Sequence, residues 1–143
     1  MEASITSRRG WLGTATLVGV LYVAAGIASA ALAGAASSTQ MRLLWRLSAF
    51  VISGVVFAAH LAHEHFRLRN PARPTAWHAS VAAALGGLGL ALWANLHDLA
   101  SASGYRPRML VALVAWPLLT GVPAFLVALV VAAIGDRVSR RAG

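Results

Sequence analysis

Four long apolar stretches alternate with short polar segments along the chain. A helix needs about 20 apolar residues to cross the hydrocarbon core of a bilayer, and each stretch approaches or exceeds that length without a charged residue. The pattern therefore predicts an all-α protein with a single integral membrane domain over residues 1–143. The uncharged stretches cover residues 10–39, 47–63, 74–97 and 109–135, and the helices predicted from them span about 11–35, 43–67, 75–101 and 108–135.

The segments between the apolar stretches contain residues that end helices. The first, ASSTQ at 36–40, is small and polar; the second, RLRNPARPT at 67–75, contains two prolines; the third, SASGYRP at 101–107, contains glycine and proline. Proline lacks a backbone donor and clashes with the preceding turn of a helix. Because short connections place successive long helices side by side, we expect a four-helix transmembrane bundle with antiparallel, up-and-down order.

Composition agrees with a location in the membrane. Of the 143 residues, 59% are hydrophobic and 11% are charged, and the mean hydropathy is +0.71. In a typical soluble domain about a quarter of the residues are charged. Too few polar side chains remain to cover a surface in water, so the lipid bilayer is the expected surrounding. The absence of cysteine excludes disulfides, thiolate metal ligands and thiol catalysis.

Arginine accounts for all twelve basic residues, and its distribution is uneven. Eight arginines belong to the N-terminus, the second connection and the C-terminus, and four to the first and third connections. Because positive charge accumulates on the cytoplasmic side, both termini are predicted to be cytoplasmic. We expect the arginines to contact anionic lipid headgroups and expect no nucleic acid as a partner. The alanine-rich, lysine-free composition is typical of a GC-rich bacterial genome, which predicts a multi-pass protein of the bacterial inner membrane.

An export signal is the alternative interpretation of the N-terminus. The segment TSRRGWLG at 6–13 resembles a twin-arginine signal, and ALAG at 31–34 offers small residues for cleavage. Removal of this segment would leave three spans. The apolar stretch is much longer than the usual signal core of about 7–15 residues, so we expect the first helix to be retained.

Small residues recur every four positions on three of the predicted helices. Lipid provides no hydrophobic drive between helices, so close contact depends on small side chains. We expect these faces to be packing seams, and an exposed seam to support a homodimer or a contact with another membrane protein. On the fourth helix, Pro117 and Pro123 each free a backbone carbonyl, and Thr120 is placed to satisfy part of it. The small residues are Gly26, Ala30 and Gly34 on the first helix, Ala79, Ala83, Gly87, Ala91 and then Asn95 on the third, and Ala124, Ala128 and Ala132 on the fourth.

The second helix carries a polar face. Residues seven apart lie nearly on one side of a helix, and Glu64 joins this face one turn after His60. If the centre of this helix lies near Val55, a rise of 1.5 Å per residue places His60 about 7 Å and Glu64 about 13 Å from the middle of the bilayer. We therefore expect His60 to be buried with a hydrogen bond to a carbonyl or hydroxyl, and Glu64 and His65 to be hydrated near the headgroups. The residues spaced by seven are Arg46, Ser53, His60 and Arg67.

Polar residues near the end of the third helix support two further interpretations. Asn95 and Asp98 share a face with the seam of small residues, and Asp98 is at a depth that suits a structural ion pair with Arg46. Ionisable residues separated along the membrane normal also suit a proton or ion relay. The members of that relay would be Ser53, His60, Glu64, Asn95 and Asp98.

Histidines near the connection between the second and third helices suggest a metal or haem site. His78, at the start of the third helix, returns to the membrane side that the second helix reaches. It can join His60, His63 and Glu64 as a metal ligand, since a metal site needs three or four convergent donors. Two imidazoles at one depth would suit haem. A metal- or haem-binding protein with this site at the cytoplasmic end of the two helices is the alternative prediction.

Enzyme signals are otherwise absent from the sequence. It contains no serine in a nucleophile elbow and no pair of carboxylates close in sequence. The main prediction is therefore a small multi-pass membrane protein without enzymatic activity or cofactor. Its role would be that of an accessory subunit, a small transporter, or a proton or ion pathway.

Overall fold

Four long helices make up the part of the chain that the structure, a computed structural model, describes. It describes the backbone of residues 2–100 and 108–142, and the side chains of residues 10–100 and 109–138. Each helix contains a segment long and apolar enough to cross a membrane, which confirms the predicted all-α architecture. The third connection, with Tyr105, lies outside the described residues. The helices are α1 (Glu2–Ala35), α2 (Thr39–Ala62, continued by a π-helical turn at His63–Arg67), α3 (Ala72–Ala100) and α4 (Arg108–Ala142).

The helices extend further than the apolar pattern predicts. Hydropathy marks where a helix lies in lipid and not where it ends, so α1 and α4 continue into their charged termini. The start of α2 is fixed by Ser38, whose hydroxyl accepts a hydrogen bond from the backbone N–H of Met41 at 3.2 Å. Pro74 lies within the first turn of α3, where the missing N–H needs no partner.

The helices do not surround a common axis equally. α1 lies between α2 and α3, α4 packs against α3, and α2 touches α3 only slightly. In the most apolar part of each helix, 33% of the α3 residues are buried but only 6% of the α2 residues. α3 is therefore the central helix, and α2 is peripheral.

The predicted packing seams on α3 and α4 are confirmed. Ala79, Ala91 and Ala128 are fully or almost fully buried. A Cβ atom on Gly87 would lie 2.5 Å from Oγ1 of Thr120 and 2.9 Å from the carbonyl oxygen of Trp116. The absence of a side chain at Gly87 is what lets α3 and α4 approach this closely.

The predicted seam on α1 is wrong in part. Gly26 packs against Leu90 of α3, but Ala30 and Gly34 are exposed. The residues that contact the other helices are spaced by three or four positions in alternation, because one turn of an α-helix contains 3.6 residues and not four. The buried residues of this face of α1 are Ala15, Val18, Gly19, Tyr22, Ser29 and Ala33.

Thr120 links α4 to α3 and does not satisfy the carbonyls freed by the prolines. α4 continues through Pro117 and Pro123, which free the carbonyls near residues 113 and 119. The hydroxyl of Thr120 lies instead 2.8 Å from the carbonyl oxygen of Trp116 and 3.1 Å from that of Ala83. The predicted role of Thr120 is therefore corrected to that of a contact between helices.

Candidate functional site

The end of α2 has an unusual backbone that gathers polar side chains. Residues His63–Arg67 form a π-helical turn, a rare conformation that is frequent at functional sites. Arg69 then adopts a left-handed conformation with φ of 53°, and the backbone N–H of Asn70 donates to the carbonyl oxygen of Glu64 at 3.1 Å. The chain thus folds back so that Asn70 lies beside the Glu64 side chain.

Glu64 is the centre of this arrangement. Its side chain is fully buried, so the prediction that it is hydrated is wrong. Its Oε2 accepts a hydrogen bond from the side-chain amide of Asn70 and lies 2.9 Å from Nδ1 of His78. Its Oε1 is buried without a hydrogen-bond partner among the described residues. The carboxylate is consequently held at one oxygen and unsatisfied at the other.

His78 brings two further helices to the Glu64 site. It lies in the second turn of α3, and its ring stacks on that of Trp11 of α1, with centroids 4.4 Å apart and planes 8° from parallel. Side chains from the end of α2, from the following loop and from α3 therefore meet at Glu64, and α1 reaches this site through the contact of Trp11 with His78. The approach of His78 to Glu64 was predicted from the short connection, whereas the contact with Trp11 was not.

His60 lies one helical turn before Glu64 and is 4% exposed. Neither ring nitrogen has a hydrogen-bond partner within the described part of the chain, which contradicts the expected bond to a carbonyl or hydroxyl. Glu64, His63 and His78 are close enough to act on His60 electrostatically. The name "buried cluster" is used below for His60, Glu64, Asn70 and His78.

His65 joins α2 to α4 on the other side of the π-helical turn. Its Nε2 lies 3.6 Å from a carboxylate oxygen of Asp136, and a Cβ atom on Gly135 would lie 2.8 Å from the same nitrogen. His65 is half-buried, so the prediction that it is hydrated is wrong in part. Sequence spacing gave no signal for this contact, because it depends on how α2 and α4 meet.

The other predicted relay residues lie away from the buried cluster. Ser53 lines a cleft in the middle of the helical segment. Asn95 donates from its side-chain amide to the carbonyl oxygens of Ala91 at 2.8 Å and Met109 at 2.9 Å. Asn95 therefore joins α3 to the start of α4, and Asp98 lies one turn further along α3.

No ion pair between Arg46 and Asp98 is observed in the described part of the chain. Arg46 is exposed, and α1 lies between most of α2 and α3. Asp98 has interactions of its own. The structure therefore does not show these two residues as an ion pair that links α2 to α3.

The predicted metal ligands are brought together only in part. Glu64 and His78 are in contact and His60 is near them, but His63 is exposed. Within the described residues, no group of three or more histidine and acidic side chains is arranged to hold a metal ion. The four-residue metal site therefore stays a prediction without supporting geometry.

A large cleft occupies the middle of the helical segment, away from the buried cluster. Its volume is about 710 Å³, and it opens between α2 and α4. Its walls are mostly aliphatic, small or aromatic side chains, with Ser53, Thr120 and Tyr22 as the residues that carry hydroxyl groups. The hydroxyl of Tyr22 is buried and has no hydrogen-bond partner among the described side chains and backbone groups.

Comparison with known proteins gives no further guide to the role of this site. The chain matches no protein-family model, no curated protein and no solved structure.

Proposed function

We propose that this protein is a small integral membrane protein that moves protons through the buried cluster. The observation that carries the proposal is a group of four buried nitrogen and oxygen atoms near the end of α2 that have no hydrogen-bond partner among the described residues: both ring nitrogens of His60, Oε1 of Glu64 and Nδ1 of His65. Ionisable side chains within membrane spans are costly and typically mark ion or proton pathways. Glutamate and histidine can both accept and release a proton.

A purely structural role explains less of the geometry. If the site only held α2 against α3, the contacts of Glu64 with His78 and Asn70 would be sufficient. Such a role leaves no reason for a buried His60 without a partner, because an unsatisfied polar group costs free energy in a low-dielectric environment. The π-helical turn also directs Glu64 towards Asn70 and His78, and His65 towards Asp136. Such a turn is typical of a functional site rather than of a plain helix end.

The helix contacts support an up-and-down, antiparallel order for the proposed membrane protein. The hydroxyls of Ser29, late in α1, and Ser48, early in α2, lie 3.2 Å apart, and Asn95, late in α3, contacts Met109, early in α4. The arginine distribution supports cytoplasmic termini. In this orientation the buried cluster lies at the cytoplasmic end of the spans.

The proposed location is the bacterial inner membrane, with anionic lipid headgroups as partners of the exposed arginines. The exposed Ala30 and Gly34 on α1 are compatible with a homodimer or a contact with another membrane protein. The role of accessory subunit would rest on such a contact, whereas the proton pathway requires none.

Proton flux in reconstituted liposomes tests the proposal. The full chain is reconstituted with an entrapped pH-sensitive dye, and a potassium diffusion potential drives protons across the bilayer. We expect flux above that of empty liposomes. Glu64→Gln and His60→Leu should each lower the initial rate by about tenfold or more, which corresponds to roughly 1.4 kcal/mol or more of lost barrier stabilisation.

His97→Ala is the matched control. His97 is an exposed histidine on α3 that stacks on Trp93, far along the helix from His78, so its removal should leave the flux unchanged. A wild-type rate equal to that of empty liposomes contradicts the proposal, as does a rate that Glu64→Gln and His60→Leu leave unaltered.

The metal- or haem-binding alternative is distinguished by the purified protein itself. Its visible spectrum and metal content are measured in detergent. A haem absorbance band, or a stoichiometric metal that is lost in His63→Ala, would replace the proton pathway with the alternative, because the exposed His63 belongs to the predicted metal site and not to the buried cluster.

A further inference from the structure

Of the two described side chains that contact Oε2 of Glu64, only His78 can carry a proton. The other contact is the amide of Asn70, which does not take up protons near neutral pH, whereas an imidazole does. The side chain of His78 is 14% exposed and that of Glu64 is 0% exposed. His78 therefore connects the buried carboxylate to the surroundings of the protein.

Repeated delivery of protons requires the His78 ring to turn. Nδ1 of His78 and Oε2 of Glu64 are 2.9 Å apart, so a proton can pass directly from the nitrogen to the oxygen. The Nδ1–H bond breaks, the Oε2–H bond forms, and the carboxyl group then releases this proton further into the pathway. The bare Nδ1 still faces Glu64. It must turn away about the Cβ–Cγ bond, take up a proton from the surroundings, and turn back before the next delivery.

Trp11 of α1 obstructs this turn. Its indole lies against one face of the His78 imidazole, with ring centroids 4.4 Å apart and planes 8° from parallel. A half-turn about the Cβ–Cγ bond carries the edge of the imidazole out of its own plane and into the space of the indole. The ring can therefore turn only when the stack opens, and opening it loses a favourable contact between two aromatic rings.

The indole of Trp11 is itself held in place. Trp11 is half-buried and packs against a small apolar core between α1 and α3. Because this core fixes the indole on one face of the His78 ring, and Glu64 contacts Nδ1 at the edge of the ring, the imidazole is restrained by two separate elements. The buried residues of the apolar core are Ala15, Val18, Tyr22 and Ala82.

We infer that Trp11 restrains the turning of the His78 ring and so limits the rate at which protons reach Glu64. The inference rests on the proposed function, because it assigns a rate-limiting contact to that pathway. Trp11 carries no proton and acts through His78, so it is a positioning residue. Removing the stack should make the pathway faster, whereas the loss of a contact that only supported the fold would make it slower or leave it unchanged.

Two substitutions at Trp11 separate the aromatic stack from apolar packing. Trp11→Leu removes the stack and keeps an apolar side chain against the core between α1 and α3, and Trp11→Phe keeps an aromatic ring. A second stack on α3 provides the matched control. Trp93 stacks on His97 with centroids 5.3 Å apart and planes 10° from parallel, one or more turns beyond the cleft from Glu64, and Trp93→Leu removes this stack by the same change.

The turning of the His78 ring is measured by NMR, without reference to flux. The full chain carries isotope-labelled histidine in lipid nanodiscs, and the His78 signals are assigned by their absence from His78→Gln. An upfield shift of the His78 ring protons, caused by the indole, reports the stack, and relaxation dispersion reports ring exchange on the μs–ms timescale. We expect Trp11→Leu to lose the shift and to exchange faster than the wild type, Trp11→Phe and Trp93→Leu.

Proton flux is measured on the same variants in the liposome assay. We expect Trp11→Leu to raise the initial rate by about two- to tenfold, the factor that corresponds to the loss of one aromatic contact. Trp11→Phe and Trp93→Leu should keep the wild-type rate. The double variant Trp11→Leu/Glu64→Gln should have the low rate of Glu64→Gln, which distinguishes faster transfer from a leak through a damaged bundle.

The outcomes distinguish failure of the inference from failure of the proposed function. A flux that depends on Glu64 but is lowered or unchanged in Trp11→Leu overturns the inference alone. A gain that persists in the double variant is a leak and also overturns it, as does ring exchange of His78 that is equally fast in the wild type and Trp11→Leu. If neither protein exceeds the rate of empty liposomes, the proposed function fails and the inference fails with it.

Discussion

Nε2 of His65 lies where a side chain on Gly135 would have to be. A Cβ atom built on Gly135 would approach this nitrogen to 2.8 Å, and the same nitrogen lies 3.6 Å from a carboxylate oxygen of Asp136. α2 and α4 are otherwise separated by the cleft over the middle of their length. The contact of His65 with Gly135 and Asp136 therefore joins these two helices at this end, beside a buried apolar cluster that contains Leu61 of α2 and Ala128 of α4.

Gly135→Ala is expected to disturb this contact. The added methyl group displaces the His65 ring, lengthens its distance to Asp136, and lowers the free energy of unfolding by about 1 kcal/mol. The measurement is thermal unfolding of the full chain in detergent, followed by circular dichroism. Gly13→Ala is the control, since that position is open and alanine favours the helix, with a gain of up to about 1 kcal/mol. Equal effects of the two substitutions would contradict the close contact.

Gly87→Ala is expected to be more destabilising. Its Cβ atom would lie 2.9 Å from the backbone carbonyl oxygen of Trp116, which cannot move without moving α4. The two helices must separate, so the loss should be roughly 1–3 kcal/mol. Gly54→Ala, at an open position on α2, should not destabilise the protein. A Gly87→Ala protein that melts with the wild type would show that α3 and α4 do not approach as described.

His78→Ala is expected to destabilise the protein through Glu64. Removing the imidazole leaves a fully buried carboxylate with only the amide of Asn70 as a partner. A buried polar group that is left without a hydrogen-bond partner typically costs about 1–3 kcal/mol. The double variant Glu64→Gln/His78→Ala should recover part of this loss, because the carboxyl group that lost its partner is then absent. Thermal unfolding of the single and double variants measures the coupling, and additive effects would argue against it.

His60→Leu is expected to stabilise the fold while it lowers proton flux. The imidazole of His60 is buried with both nitrogens unsatisfied, and leucine fills a similar volume without polar atoms. The expected gain is about 1 kcal/mol or more, which is the usual cost of a buried polar group without a partner. Unfolding and flux are measured on the same preparation. A loss of stability would show that the His60 nitrogens have partners in the membrane.

Asn95→Ala tests whether Asn95 takes part in the predicted proton relay or has only the structural role that its hydrogen bonds indicate. Asn95 donates to two backbone carbonyls at the end of α3 and the start of α4, so its loss should lower the free energy of unfolding by roughly 1–2 kcal/mol. Proton flux per folded protein should not change. A flux that falls as far as in Glu64→Gln would restore Asn95 to the pathway.

The membrane helices were predictable because one physical requirement determines both the hydropathy and the length of a span. A span in lipid must bury its backbone polar groups in a helix and present apolar side chains over its whole length. The approach of His78 to Glu64 followed from the short connection between α2 and α3, which limits where the start of α3 can lie. The sequence alone was sufficient for both.

The surroundings of Glu64 and His60 depended on features that sequence spacing does not contain. The π-helical turn shifts the register of the residues after His60, so the helical period misplaces His65. The stacking of Trp11 on His78 requires α1 to lie beside α3, an order that connection lengths leave open. The burial of Glu64 follows from that order, which is why a depth calculation on an isolated helix assigned it to the headgroup region.

The cleft at the middle of the spans has a consequence for how affinity should be expressed. A solute in the cleft would exchange with the hydrocarbon phase, where an oily solute is enriched far above its level in the buffer. The relevant quantity is then the mole fraction of solute per lipid, and an apparent dissociation constant referred to the aqueous phase will fall as the oil–water partition coefficient rises. Two apolar solutes that make identical contacts in the cleft and have tails of different length would therefore differ in aqueous potency and agree once each is scaled by its partitioning.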